Sequence, residues 1–409
     1  MTAEVVTRES YVPSPGPGQG VMGGSFYTRN DGLQLMSVHV ITQRSDTVEV
    51  ALIRYSDDNG LTWSDATEWP MRFDAPGGSG RRHFWGGYLD TRTDRFNSMW
   101  NEGVLPTDDP LEGMRQWAMY YGVSEDGGRT ELHRQQIVHE GDAYDETHHL
   151  PGVTKGKNCV MVGDRGQVPL TRSDGVILVP VQSTPTGPDG DYVNPGRGFT
   201  YTDCMMLKGV WQDDRRLSWT CSERVVGDPE RTTRGLIEPT IAELNDGSIL
   251  MVMRGSNDAV PEWPAHKWMS LSKDGGDTWT KAEPWTYEDG DAFYSPSACS
   301  QLLPHSNGKL YWIGNICEEN PRRNRPRYPI IIGEVDQDSG QLIRESVTTL
   351  DDRQSGESER MTLSNFHARE DRENGNILVF LPRFFVNGDD GDDKFTADLS
   401  QIRVSVSSL

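Results

Sequence analysis

The chain contains no run of about 18 apolar residues, so no segment of it can cross a bilayer as a helix. Cysteine is scarce. The five thiols (Cys159, Cys204, Cys221, Cys299 and Cys317) are odd in number, scattered and in no Cys-x-x-Cys pair, and are expected to be buried and free. Positive charge is also short: 40 Lys and Arg face 62 Asp and Glu, a net charge of −22. That balance excludes nucleic acid and anionic membrane as partners, so an anionic ligand must be captured by a local basic patch against the global field. Residues 1–20 lack an apolar core and read as a Pro/Gly-rich lead-in rather than a signal peptide, so a cytoplasmic location is expected. No phosphate-cradling glycine loop, nucleophile-elbow serine or dinucleotide fingerprint occurs, and no cofactor is expected. The adjacent His148 and His149 with Glu146 are too weak a signal to expect a metal.

What the chain has is turns. Short apolar runs flank Gly-, Asn- or Asp-containing turns centred near Asp31, Thr93, Asp174, Asp246, Asn307 and Asn374, at intervals of 61 to 81 residues. A unit of that length holds about four short strands, the size of a β-propeller blade, and six centres predict six blades. Residues 21–409 are therefore read as one all-β domain, a six-bladed propeller with four-stranded antiparallel blades. The 12 Trp and 43 Gly suit repeated turns plugged by aromatic rings. The C-terminal alternation of Ile402, Val404 and Val406 predicts a closing strand in a blade shared with the N-terminus.

The best-formed hairpin spans 236–255. Glu238 and Arg254 each lie eight residues from Asp246, so a tight hairpin sets them opposite one another at the end away from the turn. The same count on the other blades yields a ring of His39, His83, Trp85, Glu102, Arg165, Gln167, Gln182, Asn315, Phe366, His367 and Arg383 around the axis. So many polar groups on an inner face are costly unless they bind water or a polar ligand.

A second repeat runs between these turns. Ser56–Trp63 and Ser272–Trp279 read Ser-x-Asp-x-Gly-x-Thr-Trp, residues 124–130 fit without the Trp, and degenerate copies stand at 212–219 and 336–342. In each the Asp closes a Gly-containing turn through local hydrogen bonds. This is the Asp-box (BNR) repeat, and on it the chain resembles the sialidase (neuraminidase) superfamily of propellers. The resemblance implies a glycosidase site in the central funnel. Glu238-Pro239 and Arg254 match the family's Glu-Pro strand and a carboxylate-gripping arginine. Arg325 or Arg327, after Asn320-Pro321, matches a further arginine, and Asp46, ten residues ahead of the first box, the acid/base. Two family features have no match. Val21-Met22-Gly23-Gly24 stands where an Arg-Ile-Pro arginine is expected, and Ser364-Asn365-Phe366-His367 where the tyrosine nucleophile is expected.

Three functions follow as expectations. One is a sialidase-like exo-glycoside hydrolase acting on an acidic or related sugar. In it Glu238 and Asp46 are catalytic, and Arg254, Arg325, Arg327, Arg165, Trp85 and Arg383 are substrate-binding. The second is a lyase on a uronate-containing glycan, drawing its base from His39, His83 or His367. The third is a glycan-binding propeller without turnover.

Overall fold

The structure, a computed structural model, describes residues 3–406. It comprises six small antiparallel sheets arranged as a six-bladed β-propeller. The first blade is built from strands Gly20–Tyr27, Leu35–Thr42, Val50–Ser56 and Thr67–Trp69, and the second from Gly78–Asp90, Arg95–Leu105, Ala118–Ser124 and His133–Gln136, with Arg72–Ala75 added at its inner edge. Ile177–Ser183, Asp203–Trp211 and Leu217–Cys221 form the third behind two short inner strands, Val160–Met161 and Leu170–Thr171. The fourth contains Ile237–Glu243, Ile249–Arg254, Lys267–Ser272 and Glu283–Pro284, and the fifth Gln301–Pro304, Leu310–Asn315, Ile330–Val335 and Thr348–Asp351. All six turn centres read from sequence fall between the inner two strands of a blade.

The sixth blade closes the ring. Thr362–Leu363 and His367–Glu370 lie inside Ile377–Phe384 and Leu399–Val406, and Ala3–Val12 pairs antiparallel to Leu399–Val406 as the outermost strand. The amino-terminal run set apart as a lead-in is thus partly a blade strand, and it joins the two ends of the chain.

Strand alternation distributes the core. Successive side chains point to opposite faces of each sheet, so a central strand feeds both neighbouring seams. Ile177, Val179 and Val181 pack toward the second blade, while Leu178 packs toward the fourth. Met251 and Met253 face the third blade, Leu250 and Val252 the fifth. Among the described residues the seam between the sixth and first blades is the leanest, with Val21, Leu378, Phe380 and Leu399 as its buried apolar cluster. Each complete Asp-box follows a third strand. In the first, Gly60 N–H donates to Ser56 Oγ at 2.8 Å and Thr62 N–H to Asp58 Oδ1 at 2.8 Å. The boxes at Asp126 and Asp274 repeat both bonds.

Candidate active site in the axial pocket

Away from their turns the inner hairpins enclose a cavity of about 420 Å³ to which every blade contributes. In the fourth blade the strand pairing slips. Ile237 lies opposite Arg254 and Thr240 opposite Val252, leaving Glu238-Pro239 as a bulge with Glu238 at φ +48°. Proline cannot donate to the ladder, and a bulge re-aims the neighbouring side chain. The simple facing pair drawn from the hairpin count is corrected by one residue. The two groups still meet: Arg254 Nη1 donates to Glu238 Oε1 at 2.7 Å, and Arg254 Nε to Ser297 Oγ at 2.7 Å. Glu238 N–H turns to Gln182 Oε1 at 2.7 Å. Burial alone would raise the Glu238 carboxyl. The charge and hydrogen bond of Arg254, backed by Lys267 and Arg327, outweigh it and hold Glu238 below the usual glutamate range.

A second carboxyl, missed in the sequence, stands beside it. Asp164 is buried, accepts from Arg165 N–H at 2.6 Å and from Asn365 Nδ2 at 2.6 Å, and lines the pocket. Burial, reinforced by the negative charge of Glu238, pushes Asp164 up to about 7. Its segment is packed tightly on Glu238: a methyl group added at Gly163 would meet Gln182 Oε1 at 2.7 Å and Glu238 Cγ at 2.8 Å.

Arg234 is a further residue that strand counting overlooks, because it precedes the fourth blade on a loop. It donates to Thr200 Oγ1 from Nε at 3.2 Å and lines the pocket with Arg254 and Arg327. Burial, helped by the charge of Arg254, lowers both Arg234 and Arg327 to about 10, so both remain cationic at neutral pH. Arg44, also on the wall, is matched by Asp108 at 3.2 Å. Among the described residues no ion pair joins Arg234 or Arg327 to a carboxylate, and Arg327 Nε has no hydrogen-bond partner.

The remaining wall is aromatic and apolar. Trp85, Trp117, Phe199, Phe384, Phe385 and Phe395 line it, and His83 packs against Trp117 at 4.7 Å between ring centroids. Burial depresses His83 to about 4, which keeps its imidazole neutral. Asp46 stands exposed on a loop at the rim with φ +57° and accepts from Ser45 Oγ at 2.7 Å. Backbone strain gathers here: of the eleven non-glycine residues with positive φ among those described, five line this cavity (Asp46, Glu238, Asn324, Asn365 and Phe385). Such conformations persist where the surroundings over-determine them, and they cluster at functional sites.

Of the catalytic and substrate-binding residues expected from sequence, Glu238, Arg254, Asp46, His83, Trp85 and Arg327 share this pocket, with Gln182 of the expected ring. Five others are placed elsewhere. His39 alternates with Val38 and Val40, whose core faces the second blade, so it points to the opposite face and is buried off the pocket wall. His367 is sandwiched between Phe26 and Phe380 at 4.5 and 6.4 Å. Arg165 turns behind the wall and donates from Nη1 to the Trp85 carbonyl at 2.8 Å. Arg325 pairs with Asp389 at 3.2 Å, which leaves Arg327 as the pocket-facing arginine of its loop. Arg383 is held by Asp351 and by Glu357 at 2.6 Å, between blades rather than on the axis.

Residues 111–364 match the BNR repeat-like domain family, more than half of the chain. The chain belongs to that family. Among curated protein sequences, none matches this BNR-repeat chain. Solved structures do. A Dyadobacter fermentans protein of unknown function is 14% identical, with a TM-score of 0.63 over 99% of both chains. The K499G mutant of NanB sialidase from Streptococcus pneumoniae is 12% identical, with a TM-score of 0.59 over 97% of this chain and 70% of that one. The GH93 α-L-arabinofuranosidase of Fusarium graminearum, solved with arabinobiose, is 11% identical, with a TM-score of 0.55 over 98% of each. At these identities the likeness is one of fold, and the fold is that of sialidase-like glycoside hydrolases. In this BNR-repeat propeller Asn365 lines the pocket in the stretch where the family resemblance expects a tyrosine nucleophile, and among the described residues no tyrosine lines it.

Proposed function

We propose that the axial pocket hydrolyses the glycosidic bond of a terminal, carboxylated sugar. One observation carries this reading: Arg234 and Arg327 present partly buried guanidinium charges without carboxylate partners, in a chain of net charge −22. Partly desolvated cations call for a counter-ion, and a planar carboxylate accepts paired hydrogen bonds from a guanidinium. Arg254, oriented by Glu238, supplies the third donor, and Trp85 with the phenylalanines offers apolar faces for the ring.

With no tyrosine on the wall, a water-mediated displacement fits the groups present. Asp164, near 7, takes a proton from water as that oxygen bonds to the anomeric carbon. The bond to the leaving oxygen breaks, and that oxygen takes a proton from solvent at the rim beside Asp46, which Asp164 returns when it releases the proton it took. A base with this pKa is matched to neutral pH.

A second reading draws on His83, whose neutral imidazole stands in the same pocket. With a uronate carboxylate held by the arginines, His83 would remove the proton from the carbon bearing it. A C=C bond forms as the bond to the leaving oxygen breaks, and the imidazolium gives that oxygen the proton. Incubating sialosides, uronosides and rhamnosides in heavy-oxygen water, read by mass spectrometry, tests both. Hydrolysis gives products that together exceed the substrate by one labelled water. Elimination conserves the total mass, and unchanged glycans overturn the enzymatic reading.

A further inference from the structure

Behind the wall that carries Asp164 lies a second, smaller cavity of about 40 Å³, between the second and third blades. It shares Trp85, Val162 and Asp164 with the axial pocket, so the two adjoin. Its lining is mostly apolar, including Phe26, Met99 and Val179. Into this setting comes Arg165, only 4% exposed. Its Nη1 is used on the Trp85 carbonyl and its guanidinium carbon lies 5.6 Å from the Trp85 ring centre, but Nε and Nη2 have no hydrogen-bond partner, and neither has the indole N–H of Trp85.

The other polar groups of the lining are spoken for. Tyr88 and Thr171 share a hydroxyl–hydroxyl bond, and Gln167 Nε2 donates to the Pro180 carbonyl at 3.1 Å. No ion pair joins Arg165 to a carboxylate among the described residues. Asp164, the one carboxyl in the lining, is pushed up to about 7 and so neutralises little of that charge below neutrality. Arg165 itself is lowered by burial only to about 10 and stays cationic. A buried charge surrounded by hydrocarbon is expensive unless something of opposite sign lies beside it. The unpartnered atoms are all donors, which only an acceptor can satisfy, and the volume admits a few water-sized groups but not a sugar or an oxyanion with a tail.

We propose that this cavity is a binding site for a small monovalent inorganic anion of the halide class, held by Arg165 and the Trp85 indole. It is distinct from the arginine pocket on the axis and does not depend on what that pocket binds. Its occupant would complete the wall that positions Asp164.

Bromide is the probe. Crystals of the full chain grown in sodium bromide, with data collected at the bromine absorption edge, should show an anomalous peak in the small cavity within hydrogen-bonding reach of Arg165 Nε or Nη2. No peak there, or bromide confined to Arg234 and Arg327, overturns the proposal. In solution, the thermal midpoint of the native chain should rise with chloride at constant ionic strength, as for any ligand that binds the folded state alone. Arg165→Gln should lose that rise and Arg327→Gln should keep it. The opposite pattern also overturns the proposal. The bromide experiment needs no variant, so it decides even if Arg165→Gln fails to fold.

Discussion

Asn365 Nδ2 donates to Asp164 Oδ2 at 2.6 Å across 201 residues of chain, linking the sixth blade to the third inside the axial pocket. Asn365 does so from φ +59°, and its own N–H rests on Cys299 Sγ at 3.1 Å. A strained residue is thus maintained for the carboxyl it orients. Asn365→Gly relieves the left-handed backbone, worth about 1 kcal/mol, but deprives buried Asp164 of a hydrogen bond of similar worth, so the thermal midpoint should change little. Its turnover should drop by about 10- to 100-fold. Loss of stability without loss of rate would show that Asn365 is structural.

The pKa of Asp164 depends first on burial and next on the Glu238 charge. Glu238→Gln removes that negative charge, so the Asp164 carboxyl should ionise at lower pH. If Asp164 is the base, the acid limb of the pH–rate profile, near 7 in the native chain, should move downward while the maximal rate falls. An upward or unmoved limb would remove Asp164 from that role.

Stability should depend on pH with two opposing slopes. Burial depresses His39, His83 and His149 to about 4 and His367 to about 3. The unfolded chain therefore takes up these protons near 6.5 while the folded chain does not. Their contribution is complete above about 6.5 and is lost as pH falls toward 4. Asp164 works in the other direction. The folded chain keeps its proton up to about 7, whereas the unfolded chain releases it near 4, so this contribution is present at low pH and is lost as pH rises between those values. Urea titrations should show Asp164→Asn gaining stability over the native chain between about pH 4 and 7. A constant difference across that range would contradict the placement of Asp164.

Arg325 and Arg327 belong to one loop but have different surroundings. Arg327→Ala should weaken binding of a carboxylated sugar by about 100-fold, the scale of a charge-assisted hydrogen bond at ~2–3 kcal/mol. Arg325→Ala, whose partner is Asp389, should change it less than about threefold. Titration calorimetry distinguishes the two, and equal effects would refute the assignment.

The fold was open to reading because turn chemistry is local: glycine, asparagine and aspartate marked all six inner hairpins, and the Asp-boxes marked third-strand ends. The site was open only where it lies on those hairpins. Counting from Asp246 found Glu238 and Arg254, but a symmetrical count cannot foresee the Glu238-Pro239 bulge. Asp164, Arg234 and Asn365 enter from loops between strands, where no periodicity locates a side chain. Asp164 adjoins Arg165 of the expected ring, and Arg234 lies four residues before Glu238. His39 went astray for another reason. In a propeller every strand has two buried faces, so a polar residue on an inner hairpin can face a neighbouring blade as readily as the axis.

The most direct test of a carboxylate-reading hydrolase is turnover of a matched pair: one glycoside of an acidic sugar, and the same glycoside with its carboxyl reduced to an alcohol. The pocket built on Arg234, Arg254 and Arg327 predicts that the acid is cleaved with a kcat/KM at least about 100-fold higher, and that Arg327→Ala erases most of the difference. Equal rates on the two, or faster cleavage of the neutral sugar, would contradict it.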